Sequence, residues 1–174
     1  MRRVIVLPHD ETWAARFSEA AHEVADALGA VVAIHHCGST AVPGLAAKPI
    51  IDLLVEVHRL DAVDERAGAL VELGYEALGE YGLPRRRFFR RADAAGERTH
   101  HVHVWPAGDA EVLRHLVFRD YLLARPDVAR SYGDLKTDLA RRHPTDVEAY
   151  MDGKDAFVKD TTAAALAWHA DGRR

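Results

Sequence analysis

A chain of 174 residues is long enough for one domain with one hydrophobic core, and a share of 48% hydrophobic against 29% charged residues excludes a disordered polar chain. A net charge of -4 and a pI near 6.2 exclude an overall basic footprint for nucleic acid, so a nucleic-acid partner is not expected. Cys37 is the one cysteine, which excludes an intramolecular disulfide and a multi-cysteine zinc site. A reducing compartment follows, and with an apolar run at Val4–Leu7 too short for a leader or a span, the expectation is a cytoplasmic protein without membrane contact.

In chain order, Val4–Leu7 is a short extended segment ended by Pro8. A helix follows, with Asp10 as its expected cap and Trp13, Phe17, Ala20, Val24 and Leu28 on one face, stopped at Gly29. Val31–His36 reads as a buried strand and leads into the small-residue loop Gly38-Ser39-Thr40-Ala41-Val42-Pro43-Gly44. Ile50–Val57 is the most apolar run, rich in branched residues, and reads as a central strand. Asp61–Leu73 is a second amphipathic helix. Tyr75–Tyr81 and Arg86–Arg91 read as strands joined through Gly82-Leu83-Pro84, and Thr99–Trp105 as a further strand.

The remainder is helical: Glu111–Ala124, then a helix opened by Pro126 with Val128, Tyr132, Leu135 and Leu139 on one stripe, then a last helix capped by Thr145 and running to about Ala170. The pattern predicts an α+β fold in a single domain over 1–174, a mixed sheet with flanking helices and a helical C-terminal part from about residue 109.

The first group of chemical interest is Gly38-Ser39 followed by Asp52. A small-residue turn after a strand lets backbone N–H groups approach phosphate oxygens. Asp52 is a carboxylate inside an apolar strand, which is costly unless it is paired, hydrogen-bonded or metal-bound. Strand alternation places Asp52, Leu54 and Glu56 on one face, so the position two residues on, where a partner acid for two metals belongs, is Leu54.

The second group is Thr99-His100-His101-Val102-His103, in which His101 and His103 share a strand face at a familiar metal-ligand spacing. Half-buried, hydrogen-bonded histidines are the competing reading. His36 is expected to join this cluster and His35 to face the other way. A third group, Arg85–Arg91, offers Arg87 to phosphate, or else blunts an edge strand. In the helical part Arg119, Asp120, Lys136, Lys154 and Lys159 read by periodicity as surface charges.

The run HHCGSTAVPGLAAKPIIDLLVEV resembles the GrpB family of small bacterial proteins, and RRRFFRR, RTHHVHV, HLVFRDYLLARPDVARSYGDLKTDLA and EAYMDGKDAFV resemble its later blocks in the same order, from about Val4 to about Ala167. The resemblance implies a nucleotidyltransferase-like fold of DNA polymerase β type. In that superfamily a Gly-Ser turn holds a triphosphate tail and two or three strand carboxylates hold metals. Carried over, Gly38 and Ser39 match the turn and Asp52 the first carboxylate, while Lys48, His101, His103, Arg119, Asp120 and Lys136 match family blocks. The chain departs from the superfamily at Leu54 and at the histidines of the Thr99–Trp105 strand.

The leading expectation is thus a metal-dependent transferase acting on a nucleotide or small phosphate ester with a small acceptor. Asp52, Ser39 and Lys48 are its candidate catalytic residues. Gly38, Ser39, Thr40, Lys48, Arg87, Arg119 and Lys136 are candidates for phosphate, and Asp52, His101 and His103 for a divalent metal. Mg²⁺ or Mn²⁺ is expected, with a transition metal as the alternative, and a nucleoside triphosphate is a candidate substrate. Two rival readings are a non-catalytic nucleotide-binding or regulatory module that lost the second carboxylate, and a His/Asp metal site with other chemistry such as hydrolysis.

Overall fold

The run IIDLLVEV forms the second strand of a five-stranded sheet in the computed structural model, which describes residues 3–172. The chain divides into two units, taken here in turn. One consists of Thr12–Cys37 and Ile50–Leu113. The other holds the described residues up to Glu11, Gly38–Pro49, and the described residues from Arg114 on.

The first unit contains α1 (Thr12–Leu28), β1 (Val31–Cys37), β2 (Ile51–Val57), α2 (Leu60–Glu72), β3 (Tyr75–Ala77), β4 (Arg87–Ala92) and β5 (Arg98–Pro106). The strand order is β1-β2-β5-β4-β3. Only the β2–β5 pair is parallel, so the sheet is mixed as expected. The register sets Cys37 opposite Asp52, Asp52 opposite His101, and His101 opposite Arg90. Because neighbours across a ladder point to the same side, one face carries His35, Asp52, Leu54, Glu56, His101, His103, Phe88 and Arg90. The opposite face carries His36, Leu53, Val55, His100, Val102, Val104, Phe89, Arg87 and Arg91.

That second face is the helix-covered one. Glu23 of α1 pairs with Arg91 and Asp64 of α2 pairs with Arg87. Leu53, Val55, Val102 and Val104 are fully buried, as are Val24 and Leu70 of the two helices. Burial of such a branched side chain stabilises the fold by about 1.5–3 kcal/mol. The hairpin β3–β4 is shorter than the alternation predicts. Positive φ at Gly79, Tyr81 and Gly82 turns the chain out of the ladder, so the strand ends at Ala77 rather than at Tyr81.

The second unit is built on α3 (Ala110–Ala124) from Arg114 on, α4 (Pro126–Arg142) and α5 (Val147–Asp171), with a 3-10 turn at Ser39–Ala41. Tyr132 of α4 stacks on Phe157 of α5 at 4.9 Å and joins Val42, Leu45 and Leu122 in one cluster. Leu139, Tyr150 and Val4 form another. Val4–Leu7 forms no strand; Leu7 makes an isolated antiparallel bridge to Ala47. The cap of α5 is Asp146 rather than Thr145: its carboxylate accepts from Ala149 N at 3.0 Å. Among the described residues no helix is long and apolar enough to cross a membrane.

Candidate metal centre and phosphate loop

β2 and β5 lie side by side, and their alternation brings three side chains of the sheet's other face together. His101 Nδ1 lies 3.1 Å from Asp52 Oδ1 and His103 Nε2 lies 3.8 Å from the same oxygen. One ligand atom from each of the three falls within 4.8 Å of the others. All three are partly shielded from solvent, with the Asp52 side chain 26% exposed. Burial pushes the Asp52 carboxyl up, but the hydrogen bond from His101 and the nearby imidazole of His103 pull harder and hold it well below the usual carboxylate range. His101 Nε2 is buried and has no hydrogen-bond partner among the described residues.

Two imidazoles and one carboxylate are a donor set that suits a divalent metal, and borderline metals in particular. A buried ring nitrogen left without a partner is costly and calls for an explanation. The residues therefore fit a metal, which Asp52, His101 and His103 would hold. Leu54, two residues on from Asp52, is fully buried on the same face. Phe88 closes one side, its ring 5.3 Å from His101 and 5.0 Å from His103.

His35 and His36 exchange the places expected of them. His35 lies on the Asp52 face and binds Glu56 at 2.8 Å, whereas His36 faces α1 and stacks on Phe17 at 4.6 Å. The apolar run Val31–Ile34 gives no alternation to set the phase, and pairing with β2 decides it. His100, on the helix-covered face, is pushed down to about 4 by burial and by the nearby charges of Arg91 and Arg16. Arg87 also lies on that face, engaged by Asp64, and is not brought to Asp52.

In the other unit the loop opens at Gly38, whose φ of 71° is readily adopted only by glycine. Lys136 of α4 reaches this loop: its Nζ donates to Ser39 Oγ at 2.8 Å. Lys136 is 3% exposed, and burial, with the charge of Lys154 added, lowers its amine to about 7. Its ammonium also lies 4.3 Å from the Tyr132 ring centre. Lys48 sits over Tyr150 at 3.9 Å and Lys154 over the same ring at 5.9 Å. Thr40 is buried in the turn itself. Lys48, Lys136 and Lys154 thus lie in the same unit as this short polar turn, a composition suited to an anion. Arg119 is engaged by its neighbour Asp120.

Periodicity misplaced Lys136 among the surface charges. Its spacing was the signal: Ala129, Tyr132, Lys136 and Leu139, all buried, follow steps of three and four, so the lysine stands inside the apolar stripe.

Comparison with known proteins agrees with the motif blocks. A crystal structure of the conserved protein GrpB from Enterococcus faecalis superposes with a TM-score of 0.91 at 42% identity, over 95% of this chain and 99% of that one. The UPF0157 protein YqkA of Bacillus subtilis (strain 168) is 40% identical over 96% of this chain and 48% of its own length. A protein named dephospho-CoA kinase from Mycolicibacterium paratuberculosis (strain ATCC BAA-968 / K-10) is 28% identical over 95% of this chain and 46% of its own length. The chain therefore spans about half the length of these last two relatives. The family model described as GrpB protein matches residues 3–164, and the chain belongs to the GrpB family.

Proposed function

We propose that this protein is a metal-dependent enzyme of nucleotidyltransferase type, acting on a nucleotide or small phosphate ester with a small-molecule acceptor. The observation that carries the reading is the grouping of Asp52, His101 and His103 on adjacent strands, with a buried imidazole nitrogen left over. A metal bound there supplies positive charge to phosphate oxygens and to the departing pyrophosphate. The chain's own contributions are separate. Asp52 brings a carboxylate that is ionised at neutral pH. Gly38, Ser39 and Thr40 offer a turn for phosphate, and Lys48 and Lys136 offer cationic side chains in the same unit. Arg87 and Arg119 stay out of this reading because each is already engaged by a carboxylate.

Leu54 favours a second reading, a nucleotide-binding module without transfer chemistry, since one acid and two imidazoles replace the usual carboxylate set. One experiment separates the two. ATP, GTP and dephospho-CoA are titrated calorimetrically with no metal, Mg²⁺, Mn²⁺ or Zn²⁺, and pyrophosphate release from the triphosphates is followed with candidate acceptors. Dephospho-CoA is included because chains of that kinase name contain a segment similar to this one. Metal-dependent binding with pyrophosphate release supports the enzyme. Binding without turnover supports the module. Absence of binding under every metal condition overturns both.

A further inference from the structure

The loop joining β3 to β4 is the most contorted part of the described chain. Tyr81, with φ 43°, and Arg85, with φ 67°, are its two non-glycine residues in the left-handed region, and Gly79 and Gly82 join them there. An aromatic residue seldom adopts that conformation unless its surroundings enforce it. Here they do. Arg86 is buried and donates to Glu80 O at 3.2 Å and to Tyr81 O at 2.6 Å. Arg85 N donates to Glu80 Oε1 at 2.7 Å, and Leu83 N donates to Glu80 O at 3.1 Å.

This clamp does not bury the tyrosine. The Tyr81 residue is 54% exposed, and its ring stacks on Phe88 at 5.2 Å with 20° between planes. Phe88 in turn is the ring that flanks His101 and His103. The Arg90 guanidinium, opposite His101 in register, lies beside the Tyr81 hydroxyl. A large ring is thus fixed in place, half-exposed with the Arg86 guanidinium 6.0 Å from its centre, and set one aromatic ring away from the metal-ligand group.

We propose that Tyr81 is a stacking platform for a flat heteroaromatic ring, the nucleobase of the substrate or of the acceptor. The proposal rests on the reading of the protein as one that handles nucleotides, and it places the base against the β3–β4 hairpin. Base–aromatic stacking tolerates every base, since each has a π face, so the platform recognises a nucleoside by ring area rather than by sequence of donors and acceptors. Purines bind more tightly than pyrimidines on it.

The test uses the full chain with adenosine and cytidine, nucleosides without phosphate, in the presence of a chelator. Binding is followed by NMR through the Tyr81 ring protons. Adenosine is expected to bind weakly, Tyr81→Phe to hold its affinity within about twofold, and Tyr81→Gly to lower it about tenfold or more. Glycine is chosen because it accepts φ 43° freely, so the loop keeps its path while the ring is removed. Circular dichroism and the urea midpoint verify that the variant is folded. Equal adenosine affinity in the wild type and Tyr81→Gly overturns the platform, as does failure of the wild type to bind adenosine up to its solubility. Neither result touches the metal or phosphate reading, because the probe carries no phosphate and no metal is present.

Discussion

Lys136 Nζ and Ser39 Oγ lie 2.8 Å apart although 97 positions separate them in the chain. The contact fastens the middle of α4 to the turn after Gly38, and it places an amine where only a trace of solvent reaches it. The hydroxyl can share the ammonium's charge but cannot neutralise it, and the charge of Lys154 opposes it.

Stability should therefore rise with pH through this lysine. The folded amine has a value of about 7 against 10.5 when solvated, so between these values the unfolded chain binds the proton that the folded chain has released. The burden of the buried cation is full below about pH 7, is relieved as pH rises, and is absent above about 10.5. Lys136→Met should be more stable than the wild type at pH 6.5. The difference should shrink at up to ~1.4 kcal/mol per pH unit across the window, less about 1 kcal/mol for the lost hydrogen bond. Urea unfolding of both proteins at pH 6.5, 8.0 and 9.5 measures it; parallel curves would exclude a buried, depressed amine.

Asp52→Ala should abolish metal binding and leave the fold standing. The wild type at a free metal concentration of 100 times its Kd gains about 2.7 kcal/mol in unfolding free energy. The variant should gain nothing, while its far-ultraviolet spectrum matches the wild type. Differential scanning calorimetry with Mn²⁺ and Zn²⁺ decides the point. A variant that retains the metal-dependent gain would remove Asp52 from the ligand set.

Gly153→Ala should destabilise the protein despite alanine's better helix propensity. Gly153 lies within α5, where alanine would gain up to about 1 kcal/mol. A Cβ there collides with the side chain of Leu139, which is itself buried in α4. Overpacking of this kind costs about 1–3 kcal/mol, so the net change is a loss. The midpoint of urea unfolding should fall; a rise would mean that Leu139 moves aside without strain.

Asp146→Ala should cost about 1 kcal/mol through loss of the α5 cap, with Asp146→Asn retaining most of it. Thr145→Ala should be close to neutral. Thermal unfolding of the three variants ranks them, and a reversed order would return the cap to Thr145.

The elements were largely legible from pattern. IIDLLVEV could only be buried on both faces, and THHVHVW alternates strictly, so their strands and the shared face of His101 and His103 followed. Three things were not legible for physical reasons. The phase of His35 and His36 depends on pairing with β2, which no local pattern encodes. The spacing of Lys136 places it in the apolar stripe of α4, but its contact with Ser39, 97 positions away, is encoded by no local pattern. The Arg87 guanidinium is drawn to α2 by Asp64, a partner 23 positions away that no local pattern joins to it.

The parallel seam between β2 and β5 has a kinetic meaning. Asp52 and His101 are 49 positions apart, with α2 and the β3–β4 hairpin between them in the chain. Closing so long a loop is entropically late, and parallel pairing is slow to nucleate. A chain in which this pairing has not yet formed therefore presents the two histidines without Asp52 beside them.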